Sequence, residues 1–309
     1  MNEPLLMAIE IGGTKLQVAV GTHQGEIRNR WRFEVEKESG GLGIRERLSA
    51  VVPGIVGQHR VECVGVGFGG PVDVVEGRIR CSHQIAGWAD FPIRDWVANL
   101  ASVPCVVDND ANVAALGEAL GGSGRGMNPV SYVTLGSGVG GGLVVDGRIY
   151  HGASPGESEI GHLRLDRSGT IVESRCSGWA VDRRIRSAVV GGASGWLADR
   201  CRGESRGEAR YLKEGVDRGD GLAREILREV GEDLGFALSH VTHLAHPQVI
   251  VLGGGLSLVG EPLRAAVAEA LPRFVMEAFH PAPEIRIAGL GEDSVPVGAL
   301  FLAAESLSK

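Results

Sequence analysis

A hydrophobic strand that runs into a glycine-rich turn and out again as a second strand occurs twice in this chain, and a third strand-fed glycine turn comes later. The turns read Glu10-Ile11-Gly12-Gly13-Thr14-Lys15, Leu135-Gly136-Ser137-Gly138-Val139-Gly140-Gly141-Gly142 and Leu252-Gly253-Gly254-Gly255. Glycine lets backbone N–H groups converge without Cβ interference, and converging N–H groups form a concavity that holds anions such as phosphate. The chain has 48 glycines in 309 residues, about twice the usual share. With no collagen period, that excess argues for tight turns. The two strand–turn–strand copies head halves of similar size. They predict a duplicated α/β unit with a cleft between the copies, a preferred setting for small-molecule sites.

Periodicity places the elements around these turns. Residues 5–9, 16–20 and 31–35 read as strands of an antiparallel meander. Ile44, Leu48, Val51, Val52 and Ile55 recur at helical spacing over 43–58, and 61–68 is the next strand, closed by Gly69-Gly70-Pro71. A strand over 103–107 leads into an Ala-rich helix over 111–119, with Asp110 where an N-cap belongs. The pattern restarts with strands 130–135 and 142–145 and the hairpin signal Asp146-Gly147. Leu222, Ile226, Val230, Leu234, Leu238 and Val241 mark an amphipathic helix over 222–244 that delivers strand 249–252. Residues 262–274 and 297–307 are the expected closing helices, and 200–220 reads as polar helix surface and loop. Arg183, Arg184 and Arg186 read as a solvated helix face.

Two familiar phosphate motifs are excluded. Gly136-Ser137-Gly138-Val139-Gly140-Gly141 fits G-x-G-x-x-G, but that fingerprint requires a helix straight after the glycines. Here residues 142–150 alternate and turn as a hairpin, so a nicotinamide oxidoreductase fails on context. No G-x-x-x-x-G-K-[ST] occurs either. There remains a set of hairpin turns around one carboxylate pair, Asp108-Asn109-Asp110. Such a set suits a nucleotide triphosphate whose terminal phosphoryl group is transferred. Transfer to a hydroxyl needs a carboxylate that orients the attacking OH and takes its proton. Asp110, at the carboxyl end of a strand, is the candidate, and Asp108 is expected to be structural.

The formal net charge of −7 gives no general attraction to nucleic acid or anionic membranes. No apolar run approaches membrane-spanning length, and the start of the chain lacks the basic and apolar regions of an export signal. Cys63, Cys81, Cys105, Cys176 and Cys201 are scattered, odd in number and never form C-x-x-C. That usage fits reduced thiols in a cytoplasmic protein.

Taken in order, these segments resemble the ROK sugar kinases, a family within the actin/hexokinase ATPase-like fold. Glu10–Lys15 is similar to the family's first phosphate motif, and Leu135–Gly142 to its second. Asn109-Asp110-Ala111-Asn112 with Ala114-Ala115-Leu116-Gly117-Glu118 resembles its sugar and catalytic motif. Glu159-Ile160-Gly161-His162 resembles its E-x-G-H, and Ile250–Ser257 its adenosine-side turn. The resemblance implies a duplicated ribonuclease H-like/actin-like ATPase fold of two lobes with a central cleft. One lobe would be 1–117 with the closing helix over 295–309, and the other 118–294.

It also implies ATP-dependent phosphorylation of a hexose hydroxyl, on glucose or a related sugar, with Asp110 as general base. Asn109, Asp110, Glu159, His162 and Glu173 are the implied sugar contacts. Gly12, Gly13, Thr14 and Lys15, then Gly136, Ser137, Gly138, Gly140 and Gly141, then Gly254 and Gly255, are the implied ATP contacts. Mg²⁺ is expected with the ATP, near Glu10, and the family resemblance implies a homodimer.

Two departures stand out. The family commonly binds zinc through the E-x-G-H histidine and a C-x-C-G-x-x-G-C cluster, yet 163–175 contains no cysteine and Cys176 stands alone. A closed zinc site takes about four ligands, so zinc is not expected and the 163–173 loop should be held by other contacts. The family's sugar-side Asn before Gly-Trp is Gln84 here, in Ser82-His83-Gln84-Ile85-Ala86-Gly87-Trp88. One extra methylene changes which hydroxyl the amide meets, which leaves glucose, allose, fructose, mannose and N-acetylated sugars open. A catalytically silent sugar-sensing or binding protein on the same scaffold is the competing function. A ROK repressor, which carries a helix-turn-helix ahead of the kinase-like part, is disfavoured by a start at the first strand and by the negative charge.

Overall fold

The computed structural model describes residues 3–82, 85–153 and 158–308; Gln84 therefore lies outside the described residues. The chain forms two compact units. Unit 1 is Met1–Gly126, Gly142–Ser158 and Glu292–Lys309, and unit 2 is Met127–Gly141 and Glu159–Gly291.

Unit 1 opens with β1 (Leu5–Ile11), β2 (Lys15–Gly21) and β3 (Ile27–Glu34), paired antiparallel as the meander predicts. Helix α1 (Gly40–Gln58) buries Ile44, Leu48, Val52 and Ile55 along one stripe, and β4 (Val61–Phe68) then pairs parallel to β1. A short antiparallel ribbon, β5 (Val72–Asp73) and β6 (Arg78–Ile79), precedes α2 (Ile93–Ala101) and β7 (Cys105–Asn109), which is parallel to β4. The sheet order is β3-β2-β1-β4-β7. Met7, Ile9, Val64 and Val66 face the apolar side chains of α1 and α2. Leu6, Ala8 and Cys63 face the opposite way, toward α3 (Asp110–Gly121) and the closing helix Ser294–Leu307. Those two helices meet at glycines: a Cβ on Gly117 would sit 2.9 Å from the Gly298 nitrogen.

The second sheet repeats that order strand for strand. It runs β10 (Arg148–Ile149), β9 (Val139–Val145), β8 (Val130–Leu135), β11 (Val249–Gly253), β12 (Glu284–Ile287). Strands β8, β11 and β12 are parallel. Between β10 and β11 lie α4 (Val172–Cys176), α5 (Gly178–Val190), α6 (Trp196–Cys201), α7 (Leu212–Asp217) and α8 (Gly221–Ala245). Helix α9 (Glu261–Ala270) precedes β12, and the closing helix is α10. The stripe Ile226, Val230, Leu234 and Leu238 of α8 packs into the unit 2 core beside Ile250 and Leu252.

Several local expectations are corrected. Asn109, not Asp110, caps α3: its side chain accepts from Ala111 N at 2.8 Å and from Asn112 N. Strand β7 runs two residues past the predicted end, so the helix begins at Asp110 itself. The Arg cluster is not one solvated face, since Arg184 pairs with Glu229 and Asp233, and Arg186 with the buried Glu208. The 200–220 stretch contains the fully buried Leu212 beside that Glu208. Helix α2 and strand β12 were not anticipated; both are too short for periodicity to distinguish them from loop. Among the described residues, no helix is long and apolar enough to cross a membrane.

Candidate active site

In unit 1 the parallel register lines up Ile11, Phe68 and Asn109 in one row across β1, β4 and β7. The residues next in chain, Gly12, Gly69 and Asp110, emerge at one carboxyl edge, where open α/β sheets bind ligands. The first turn is closed by the Gly12 N–H donating to the Lys15 carbonyl at 2.9 Å. The Gly69 N–H donates to the Ile11 carbonyl at 2.8 Å. Space above Gly69 defines the site. A Cβ there would lie 3.3 Å from Asp110 Oδ2 and 3.5 Å from Gly12 Cα. The absence of a side chain at this residue thus lets the candidate base approach the first glycine turn.

Glu10, at the end of β1, is largely buried and accepts from the Gln17 amide. Lys15 Nζ lies 3.6 Å from Glu10 Oε2 and 3.5 Å from the Glu292 carbonyl. Burial pushes the Glu10 carboxyl above its ordinary value, against the opposing pull of Gln17 and Lys15. Thr14 is exposed at the tip of the turn, open to a ligand. Asn109 and Asp110 are half-buried, and the Asn109 amide donates to the Gly70 carbonyl at 3.1 Å. Asp108 is 2% exposed and accepts from the Asn109 N–H at 2.7 Å, from Asn112 Nδ2 at 3.0 Å and from His151 Nε2 at 2.6 Å.

Unit 2 gathers the remaining candidates. The second turn closes through the Gly136 N–H donating to the Gly138 carbonyl at 2.9 Å, and the Gly178 N–H donates to the Gly136 carbonyl at 2.7 Å. Glu173, from the first turn of α4, accepts from the Val139 N–H at 2.9 Å, and a Cβ on Gly138 would sit 2.5 Å from its Oε2. The third turn lies against the end of β8. Gly254 has φ +78°, and a Cβ there would sit 2.6 Å from the Leu135 nitrogen. Glu159 and His162 flank the buried Ile160-Gly161 pair of a single 3-10 turn and are exposed. Ile160 packs beside Gly141 at the turn's far end. Unit 2 thus groups Gly136–Gly141, Glu159, His162, Glu173 and Gly254, and unit 1 groups Gly12–Lys15 with Asn109 and Asp110.

The zinc pattern does not fit. Metal-bound cysteine is a thiolate, whereas Cys176 is fully buried and its thiol is pushed up by that burial. No group of three His, Cys, Asp or Glu residues among those described could hold a metal ion. The 163–172 hairpin is instead closed by its own turn. Asp166 accepts from Ser168 Oγ at 2.6 Å, from the Gly169 N–H at 2.9 Å and from the Thr170 N–H at 3.2 Å. These donors hold its carboxyl well below the usual carboxylate range. The Leu165 and Val172 N–H groups complete the ladder to Thr170 and Leu163. Burial also pushes the Cys201 thiol to about 11 and raises those of Cys63 and Cys105, which leaves these three poor nucleophiles.

Sequence reasoning missed Gly69, Gln17 and His151. A Gln inside an otherwise apolar strand was a signal for the second. A lone His after a hairpin is no signal at all.

With this geometry in view, the match to known proteins is direct. The model of the ROK family matches residues 6–306, and the chain belongs to the ROK family. It is 30% identical to a glucokinase from Halalkalibacterium halodurans, over 99% of this chain and 96% of that one. The ROK family glucokinase from Streptomyces griseus, solved with glucose and AMPPNP, superposes with a TM-score of 0.81 at 28% identity, covering 97% of this chain and 99% of its own. The ROK hexokinase from Thermus thermophilus also gives 0.81 at 28% identity, covering 98% and 99%. The fold is that of the actin/hexokinase-like ATPases, with which the repeated sheet order agrees.

Proposed function

We propose that this protein is an ATP-dependent hexose kinase acting on a hydroxyl of glucose or a close relative, with Asp110 as general base. One observation carries the reading: the Asp110 carboxylate stands over Gly69, next to the first glycine turn, at the carboxyl edge of parallel strands. A base at that place meets both a sugar hydroxyl and the phosphate it attacks. The relatives named glucokinase and the glucose and AMPPNP complex of the S. griseus enzyme support the substrate pair.

In the proposed reaction ATP arrives with Mg²⁺ as substrate. Backbone N–H groups of the Gly12–Lys15 and Gly136–Gly141 segments hold phosphate oxygens, apart from those of Gly12 and Gly136, which close their turns, and of Val139, which seats Glu173; Gly254–Gly255 lie on the adenosine side. Glu10 is the carboxylate available toward the cation. Asn109, Glu159, His162 and Glu173 offer the mixed donors and acceptors that sugar hydroxyls require. Asp110 aligns the attacking hydroxyl and takes its proton as the O–P bond forms and the ADP oxygen leaves. Such a base is worth about 10²- to 10⁴-fold in rate.

The competing reading, a sugar-binding protein without turnover, draws on the departure of 163–175 from the family's metal-binding pattern. Coupled ADP release over a panel of hexoses decides between them, run on chelator-stripped protein resupplied with Mg²⁺ alone. Sugar-dependent ADP release is expected. Hexose binding without it would replace the kinase by the silent protein, and recovery only on adding zinc would overturn the metal-free loop.

A further inference from the structure

We propose that His151 is a positioning residue for phosphoryl transfer, holding the Asn109–Asp110 strand end in register through Asp108. The inference rests on the kinase reading and extends it to a residue pair outside the sugar and phosphate contacts.

The starting point is Asp108, a carboxylate 2% exposed at the end of β7. A buried carboxylate is tolerated only when donors surround it. One oxygen, Oδ1, is supplied locally, by the Asn109 N–H and the Asn112 amide. The other, Oδ2, takes its bond from His151 Nε2 at 2.6 Å, a residue 43 positions away on the segment leaving β10. This is a short bond, as charge assistance by the carboxylate makes it. The two oxygens act on different objects. Oδ1 orients the peptide of Asn109 and the first turn of α3, while Oδ2 ties that unit to a separate segment.

Asp108 leads directly into the candidate catalytic pair. Asn109 bonds Gly70 through its amide nitrogen and caps α3 through its amide oxygen, so its position sets where Asp110 begins the helix. Removing the His151 donor leaves Oδ2 buried with one fewer partner. The carboxyl group relieves that by turning, and turning breaks its bonds to Asn109 and Asn112. Asp110, one residue further on, then loses its fixed approach over Gly69. A shift of about 1 Å in a reacting group costs about 10²-fold in rate. His151 touches neither hydroxyl nor phosphate in this scheme; it acts through Asp108.

The test compares His151→Ala with His151→Gln, which keeps an N–H donor. Turnover is expressed per hexose-binding site counted by calorimetry, so that loss of folded protein does not mimic loss of rate. His151→Ala is expected to lower kcat per site by about 10- to 100-fold with KM for ATP unchanged, and His151→Gln to recover most of it. Unchanged kcat per site with only a lowered melting temperature would show a merely structural contact and overturn the proposal. So would His151→Gln behaving like His151→Ala. If His151→Ala does not fold, His151→Asn, whose amide falls short of Asp108, replaces it.

A second readout needs no activity. The backbone amide resonances of Asn109 and Asp110 should move in the variant lacking the donor and return in His151→Gln. Unmoved resonances overturn the inference. A wild-type protein that phosphorylates no hexose, while the variants show those movements, sinks the kinase reading and leaves standing only the tie from His151 through Asp108 to the Asn109–Asp110 strand end.

Discussion

The strands that flank the first glycine turn carry polar side chains inside the sheet, whereas those that flank the second carry almost none. Glu10 and Gln17 face each other across β1 and β2, and Asp108 is buried at the end of β7. In β8 and β9, which flank the second turn, the buried polar groups are the hydroxyls of Ser131 and Tyr132. Unit 2 does bury carboxylates, but they close backbone. Asp182 accepts the Gly207 and Ala209 N–H groups, Asp220 caps α8 through the Ala223 N–H, and Glu208 pairs with Arg186. The two halves share one strand order and bury their polar groups in different places. Unit 1 holds the carboxyl groups of Glu10 and Asp108 at strand ends, and unit 2 uses its buried ones to close backbone or to pair with Arg186. A carboxyl group raised by burial at a strand's carboxyl edge, as Glu10 is, is of the kind that gathers where chemistry concentrates.

That contrast is broken most directly at Asp110. Asp110→Asn should lower kcat by about 10³-fold and leave the melting temperature near wild type, because Asn109 and not Asp110 caps α3. Coupled ADP release with a parallel thermal melt checks both halves, and turnover within tenfold of wild type would remove Asp110 from the chemistry.

A smaller effect separates the turns themselves. Gly254→Ala forces a side chain onto φ +78° and against the Leu135 backbone, and is expected to cost about 2 kcal/mol in urea unfolding. Gly12→Ala meets only the Lys15 carbonyl, at 3.3 Å, and should cost less stability while weakening ATP binding. Equal stability losses would erase the distinction between the two turns.

The smallest expected change in stability is at Glu10. Its carboxyl group is held above the ordinary value by burial, so the favourable contribution belongs to the protonated form and is lost as pH rises through the folded-state value. Glu10→Gln should therefore match wild type in acid and gain relative stability toward pH 8, while Mg²⁺-dependent turnover falls. Thermal melts from pH 4 to 8 with matched rate measurements test it. A variant less stable than wild type at pH 8 would show that the Lys15 and Gln17 contacts outweigh burial.

Much of the scaffold was legible because it is written locally. Strand β4 carries an uncharged run from Cys63 to Phe68 and α8 a clean stripe of spaced aliphatics, and both occupy the stretches that periodicity marks. The cap on α3 was misassigned because Asn109 and Asp110 are both good capping residues in sequence. The choice between them depends on how far β7 pairs with β4. Arg184 and Arg186 looked like surface because their partners, Glu229, Asp233 and Glu208, are 22 to 49 residues away.

The order of amino acids alone determined the glycine turns, the strands that feed them and the duplication, since each depends on neighbours within a few turns of chain. Tertiary structure alone decided that Gly69 lies under Asp110, that His151 bonds Asp108 and that Glu173 seats on the Val139 amide. Those meetings arise from parallel register across a whole sheet and from crossovers that return distant segments to one edge. Register is set by which faces of all five strands must be buried together, and no short window of sequence contains that information.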